Sequence, residues 1–301
     1  MIGGPTDERV EGHSSRDSNR QPLTGHRIPD SPSCGVSLEC PVPKDTTPKY
    51  VRFSLLGSGT KGHQFTLLYP AGEKVREFTV CYAMLFNRYN HHAMLLQSIT
   101  FNRLMGAGHM YIYNQSVGPM VDAMLRHYTD RGLLTVLPMP KRPANKAWYH
   151  GQEITIQDCI YRNRNTSQFV VVVDPDEFIV PLQHKSWGEL LSDVLHREAK
   201  QNHVHNVGSF TFIHAFLCDR SQKHDDPHWT QLKQNVSITE EEEDFIRRNK
   251  VILFLEKHRQ KFHSYPRRSK TIYRPEFVRE PGIHYPRSFW SNQSQAVVDN
   301  G

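Results

Sequence analysis

From residue 78 the apolar residues alternate between two spacings. Phe78-Thr-Val-Cys-Tyr-Ala-Met-Leu-Phe86, His109-Met-Tyr-Ile-Tyr113, Leu133-Leu-Thr-Val-Leu-Pro138 and Phe169-Val-Val-Val-Val173 are short β-branched or aromatic runs. Each predicts a strand, and the all-apolar run at 169–173 predicts one buried on both faces. The segments between them carry helical spacing. His92 to Leu104 predicts a helix stopped at Gly106, and Val121, Met124, Leu125 and Tyr128 line one face of a second that ends at Gly132. Ile156, Cys159 and Ile160 mark a third, leading into the 169–173 strand, while Ser186-Trp-Gly-Glu189 reads as a capping box for a fourth, continued by Leu190, Leu191, Val194 and Leu195. Gly208 to Phe216 predicts a later strand. Strands alternating with helices imply an α/β fold with a mostly parallel central sheet and flanking helices.

Outside this region the pattern weakens. Residues 1–47 are rich in Ser, Pro, Gly, Asp and Arg without apolar periodicity, and read as a disordered tail. A β-rich lead-in follows over 48–77, with strands expected at Tyr50–Leu56 and Phe65–Tyr69. Between them, Gly57-Ser-Gly59-Thr-Lys-Gly62 is a formal G-x-G-x-x-G, but no helix follows it, so it reads as a hairpin loop. The α/β core spans 78–216 and a more polar part spans 217–290, so that one domain covers 48–290 and a short tail covers 291–301. Glu240–Asp244 is expected as a solvated loop or a helix start.

Composition narrows the classes. Charged residues at 23% and hydrophobic residues at 37% describe a globular chain, and no apolar run approaches the roughly 20 residues of a membrane span. The N-terminus has no signal-peptide apolar region. The net charge of +6 is moderate, and its late clusters, such as Arg247-Arg248-Asn-Lys250 and Arg267-Arg268-Ser-Lys270, come with no nucleic-acid-binding module. They suit a solvated basic face or a site for one diphosphate. The five cysteines form no C-x-x-C pair, which argues against a zinc ribbon; Cys81 and Cys159 sit in apolar patterns and read as buried thiols.

The chemistry concentrates after the 169–173 strand, where Asp174, Asp176 and Glu177 follow within four residues. Isolated carboxylates at the end of a buried strand must open into a polar cleft or be neutralised. In open α/β sheets that place, beyond the carboxyl ends of the strands, is where ligands bind. In an extended chain Asp174 and Asp176 point the same way and share one cation, manganese or magnesium together with substrate phosphates.

Several separated stretches, in order, resemble glycosyltransferase family 92. They are Cys81 to Asn90, running into Leu104 to Asn114; Tyr149-His-Gly151-Gln152 with Gln157 to Asn163; Phe169 to Pro181 with His184-Lys185-Ser-Trp187; and Arg268-Ser269-Lys270 with Arg274-Pro275-Glu276 and Gly282-Ile283-His284. The resemblance covers roughly residues 78–285 and implies a GT-A-type nucleotide-sugar fold. It implies transfer of a hexose, typically galactose from UDP-galactose, to a glycan hydroxyl with inversion and metal assistance. Asp174 and Asp176 match the family's D-x-D and, with His284, are the expected metal side. Asn87, Arg88, Asn114, Gln152, Asp158 and Lys270 are the expected nucleotide and diphosphate contacts, with Arg268 and Arg274 as further positive charge. Inversion calls for a carboxylate base, for which Glu177 and Asp219 are candidates. Family members are membrane proteins of the secretory pathway, so a Golgi location is implied although no anchor is visible in this sequence. The rival readings are a catalytically silent carbohydrate- or nucleotide-binding relative, or a shortened gene product. Sequons at Asn114, Asn165, Asn235 and Asn292 are glycan acceptors only in the secretory lumen.

Overall fold

A computed structural model of the chain describes residues 73–140, 148–200, 207–216, 227–249 and 265–298 apart from 267 and 292, with residue 262 and shorter stretches between residues 10 and 69. The chain divides into two compact units, Met1–Ala71 with Lys146–Trp148, and Gly72–Asn145 with Tyr149–Gly301.

In the first unit the strand Tyr50–Leu55 pairs antiparallel with Val10–Ser14 on one side and His63–Thr66 on the other. Thr24–Arg27 pairs with Val36–Glu39. Short strands therefore occur within residues 1–47, where composition alone gave a tail. Backbone groups find ladder partners there without any apolar period. The glycine-rich loop at Gly57 and Gly59 lies outside the described residues.

The second unit follows the predicted alternation. Its elements are β1 (Arg76–Tyr82), α1 (His92–Leu104), β2 (Ala107–Asn114), α2 (Pro119–Asp130), β3 (Leu134–Pro138), α3 (Gln152–Arg162), β4 (Ser167–Val173), α4 (Trp187–Lys200) and β5 (Val207–Phe212). After them come α5 (Pro227–Val236), α6 (Glu240–Arg248), β6 (Lys270–Tyr273), β7 (Val278–Glu280), β8 (Ser288–Phe289) and β9 (Ser294–Val298). Seven strands form one sheet in the order β9-β5-β6-β4-β1-β2-β3. Four of its six pairings are parallel; β6 runs antiparallel to both β4 and β5.

Apolar residues on alternate sides of the strands build two cores. Phe78, Val80, Val171, Val173 and Trp187 belong to one, and Val170, Val172, Ile156 and Ile160 to the other. Burying a residue of this size contributes about 1.5–3 kcal/mol. The start of α4 differs in detail from the expected capping box. Ser186 Oγ accepts from the Glu189 N–H, but the Glu189 carboxylate reaches back to the Lys185 N–H instead of to residue 186. A full capping box occurs at α6, between Thr239 and Glu242, and settles the acidic run as a helix.

Cys81 and Cys159 are joined in a disulfide, where the sequence reading expected thiols. α3 lies against β1 and brings the two Cα atoms to 6.1 Å, within bridging range. The bond ties β1 to the helix that leads into β4. Replacing both cysteines by serine is expected to lower stability by about 2–5 kcal/mol. Equilibrium urea unfolding under oxidising conditions checks this; an unchanged midpoint would contradict it.

Candidate active site

The order β3-β2-β1-β4 makes the chain leave the sheet in one direction from β1 and return on its other side at β4. Ligands in open α/β sheets bind at such a reversal, outside the carboxyl ends of the strands. Here those ends carry Asn87 and Arg88 after β1, Asn114 at the end of β2, and Asp174 after β4. The antiparallel strand β6 pairs Thr271 with Val172, so its first residue, Lys270, arrives beside the end of β4.

Residues 174–177 are not extended. The Glu177 N–H donates to the Asp174 carbonyl at 3.0 Å and closes a β-turn, with Pro175 at its second position, where proline is favoured. The period-two argument for Asp174 and Asp176 therefore does not hold. The turn instead brings Asp174 and Glu177 onto one ammonium group. Lys270 Nζ lies 3.1 Å from Asp174 Oδ2 and 2.6 Å from Glu177 Oε2. Glu177 Oε2 also accepts the Asp174 N–H at 2.8 Å. The Lys270 side chain is only 8% exposed, against 19% for Glu177 and 30% for Asp174.

Burial opposes the charge on Lys270, but the Glu177 and Asp174 carboxylates outweigh it and hold the ammonium above the usual lysine range. Burial pushes the Glu177 carboxyl up to about 7, with Lys270 pulling it back and Asp174 adding to the rise. An unfolded glutamate loses its proton near 4.5, so between about 4.5 and about 7 the native chain binds more protons than the unfolded one. Stability from this group therefore falls as pH rises through that window. Glu177→Gln is expected to flatten the dependence, read as a smaller difference between urea midpoints at about pH 5 and about pH 7.5. An unaltered difference would contradict it.

His284 joins the site through the backbone. Its Nδ1 donates to the Ser269 carbonyl at 3.0 Å, and its own carbonyl accepts from Thr271 Oγ1 at 2.8 Å. Burial and the nearby Lys270 lower its pKa, so the ring is neutral near pH 7 and its Nε2 keeps a lone pair. Tyr89, in the loop after β1, was not named among the site residues; burial and the Asp176 carboxylate push its hydroxyl up to about 12. Its signal was slight: one aromatic residue in a loop.

The other predicted residues divide. Asn87 and Arg88 are exposed and held at positive φ, 53° and 54°. The Asn114 side-chain oxygen is buried without a hydrogen-bond partner, and Gln152 opens α3. Asp158 is spent within the protein: Tyr113 Oη donates to it at 2.5 Å, and Arg162 one turn later binds both of its oxygens. Arg274 sits at the far end of β6, on the Val207 carbonyl and near Glu276, away from Lys270. Arg268 lies over the Phe216 ring. Asp219 lies outside the described residues. His91 stands at the N-cap position of α1 without a side-chain capping bond, and Phe210 lies in the core.

Among the described residues, no three His, Cys, Asp or Glu side chains converge to hold a metal ion between them. A hard divalent cation that takes one or two carboxylates plus substrate phosphates needs fewer. Asp174 Oδ1 and the Asp176 carboxylate take no hydrogen bond from the described residues, and His284 offers a neutral nitrogen. Manganese accepts such oxygen and imidazole donors. Three carboxylates against one ammonium also leave an excess of negative charge for a cation to balance when all are ionised. The residues thus fit a cation shared with a diphosphate, and not a cage built by the protein alone.

The description "Glycosyltransferase family 92" matches residues 76–301. A Caenorhabditis elegans protein named beta-1,4-galactosyltransferase galt-1 is 29% identical over 110 residues, covering 35% of this chain and 26% of that protein. A second from the same organism, glycosyltransferase family 92 protein F13G3.3, is 31% identical over 114 residues, covering 34% of this chain and 22% of that protein. The chain thus spans about a quarter of the length of these relatives. Among solved structures, S. aureus TarS 1-349 in complex with UDP-GlcNAc has a TM-score of 0.29 and 13% identity over 50% of this chain and 37% of that one. With three quarters of its length matched, the chain belongs to glycosyltransferase family 92.

Proposed function

We propose that this chain transfers a hexose, galactose in the first instance, from a UDP-sugar to a glycan hydroxyl with inversion at the anomeric carbon. The observation that carries the reading is the Asp174–Lys270–Glu177 cluster at the open end of β4. Lys270 presents a fixed positive charge where a leaving diphosphate develops negative charge, the kind of preorganised electrostatic aid that lowers such barriers. Asp174, Asp176 and His284 are the residues that would hold a manganese or magnesium ion. Such an ion, when bound, supplies Lewis-acid stabilisation of the leaving diphosphate. Asn87, Arg88, Asn114 and Gln152 line the same edge of the sheet and form the nucleotide side.

Glu177 spends one oxygen on Lys270 and on the Asp174 N–H. That supports a positioning role, and the base is assigned first to Asp219. The disulfide Cys81–Cys159 supports residence in an oxidising compartment, the secretory lumen. No helix among the described residues is long and apolar enough to cross a membrane.

The test is incubation of the chain with UDP-galactose, manganese and a panel of glycan acceptors, followed by mass analysis of the products and proton NMR of the new linkage. One added hexose with opposite anomeric configuration is expected. Tight UDP binding with no transfer to any acceptor would favour the silent-relative reading.

A further inference from the structure

The structure sorts the N-x-S sequons of this chain. Asn114 ends β2 at the edge that carries Asp174, and its side-chain oxygen is buried. A glycan there would occupy the candidate site itself. Asn235 lies inside α5, and Asn292 falls outside the described residues. Asn165, in the sequon Asn165-Thr166-Ser167, is different: it is exposed, in the short turn between α3 and β4. An exposed turn is where an acceptor asparagine belongs.

The neighbours explain why Asn165 is left open. Two residues earlier, Asn163 is wholly buried at the end of α3, and its amide donates to the Cys159 carbonyl at 2.8 Å. The Asn163 carbonyl accepts the Thr166 and Ser167 N–H groups at 3.2 and 3.0 Å and closes the turn. The Thr166 carbonyl accepts from the Val75 and Arg76 N–H groups, which fixes the turn to the start of β1. Ser167 is buried against Thr79, with the hydroxyls 2.7 Å apart. The backbone demands of the turn are met by these residues, and the Asn165 side chain makes no hydrogen bond among the described residues. Arg164, just before it, lays its guanidinium over the Trp290 ring, 5.0 Å from the centroid, and that ring is 42% exposed. An exposed indole thus borders the turn and offers an apolar face to a sugar. β4 runs from the turn to Asp174, so the two lie about 20 Å apart, at opposite edges of the sheet.

We infer that Asn165 is an N-glycosylation site whose glycan leaves the amino edge of the sheet, clear of the candidate active site, and that Asn114 is spared. The co-reactant is an oligosaccharide carried on a lipid pyrophosphate in the secretory lumen. A bond forms between Asn165 Nδ2 and C1 of the first sugar. The bond from C1 to the pyrophosphate oxygen breaks and its electron pair stays with the pyrophosphate, which also takes the amide proton. A bulky polar modification of this kind is tolerated only at the surface. The inference rests on the lumenal location that the Cys81–Cys159 disulfide supports, and not on the UDP-sugar reading.

The test expresses the full chain behind a cleavable secretory leader in cultured animal cells. The leader supplies the location, so a failure at Asn165 counts against this inference and not against the lumenal reading. Digestion with an amide-cleaving N-glycanase in heavy-oxygen water turns each glycosylated asparagine into a labelled aspartate, read by peptide mass. Label is expected at position 165, with unlabelled asparagine at position 114. Asn165→Gln is expected to remove one glycan from the intact mass and to leave UDP affinity unchanged. The peptide map of the wild-type chain decides the matter if the variant does not fold. An unlabelled position 165, whether or not another sequon is occupied, would overturn the assignment, and label at position 114 would overturn the sorting.

Discussion

Lys270→Met is expected to abolish diphosphate binding and to remove a large part of the stability of the second unit. The ammonium is almost wholly enclosed and is the charge partner of both Asp174 and Glu177. Breaking a buried ion pair by removing one partner costs about 3–5 kcal/mol, because the remaining charge is left uncompensated. Here the cost should lie near the lower end, about 3 kcal/mol, since Glu177 can hold its proton at neutral pH and Asp174 reaches solvent. A second variant separates folding from function. Lys270→Met combined with Glu177→Gln removes one stranded carboxylate and should recover much of the stability while binding UDP no better. Urea unfolding and calorimetry read the two effects independently. Wild-type UDP affinity in the single variant would contradict the role assigned to Lys270.

The second large effect is expected from Asp174→Ala combined with Asp176→Ala. Asp176 is exposed and takes no hydrogen bond from the described residues, so its loss costs the fold little. Asp174 holds one contact of Lys270, which Glu177 retains. The double variant should therefore stay folded, with a melting temperature within a few degrees of wild type. Cation-assisted binding of UDP should fall by about a hundredfold, which at 1.4 kcal/mol per tenfold is about 2.8 kcal/mol. Sugar transfer should become undetectable. If the double variant bound UDP and manganese as wild type does, the site would lie elsewhere.

How much of this was legible in the sequence follows the range of the interactions. The strand–helix alternation was readable because it depends on spacing within a dozen residues; β1, α1, β2, α2, β3, α3 and β4 all lie where apolar period placed them. The position of Asp174 at the mouth of the sheet followed from the buried run before it. The turn at 174–177 was missed because an extended continuation of β4 seemed the simpler course, although Pro175 is a turn signal. Lys270 was expected near the diphosphate, but its contacts with Asp174 and Glu177 were not. They span 96 residues in the Asp174 case and depend on β6 running antiparallel between β4 and β5, which no local pattern encodes. The Cys81–Cys159 bond likewise depends on where α3 lands on β1. Asp158 looked like a site residue because its chemistry is right, yet Tyr113 and Arg162 consume it.

The central claim is that the carboxyl edge of β1, β2 and β4 binds a uridine diphosphate with a divalent cation. The most direct test is calorimetric titration of the purified chain with UDP, UDP-galactose and ADP, each with and without manganese. The account predicts that the two uridine ligands bind, that manganese strengthens both, and that ADP binds far more weakly. Equal binding of ADP and UDP, or no binding of either uridine ligand with manganese present, would contradict it.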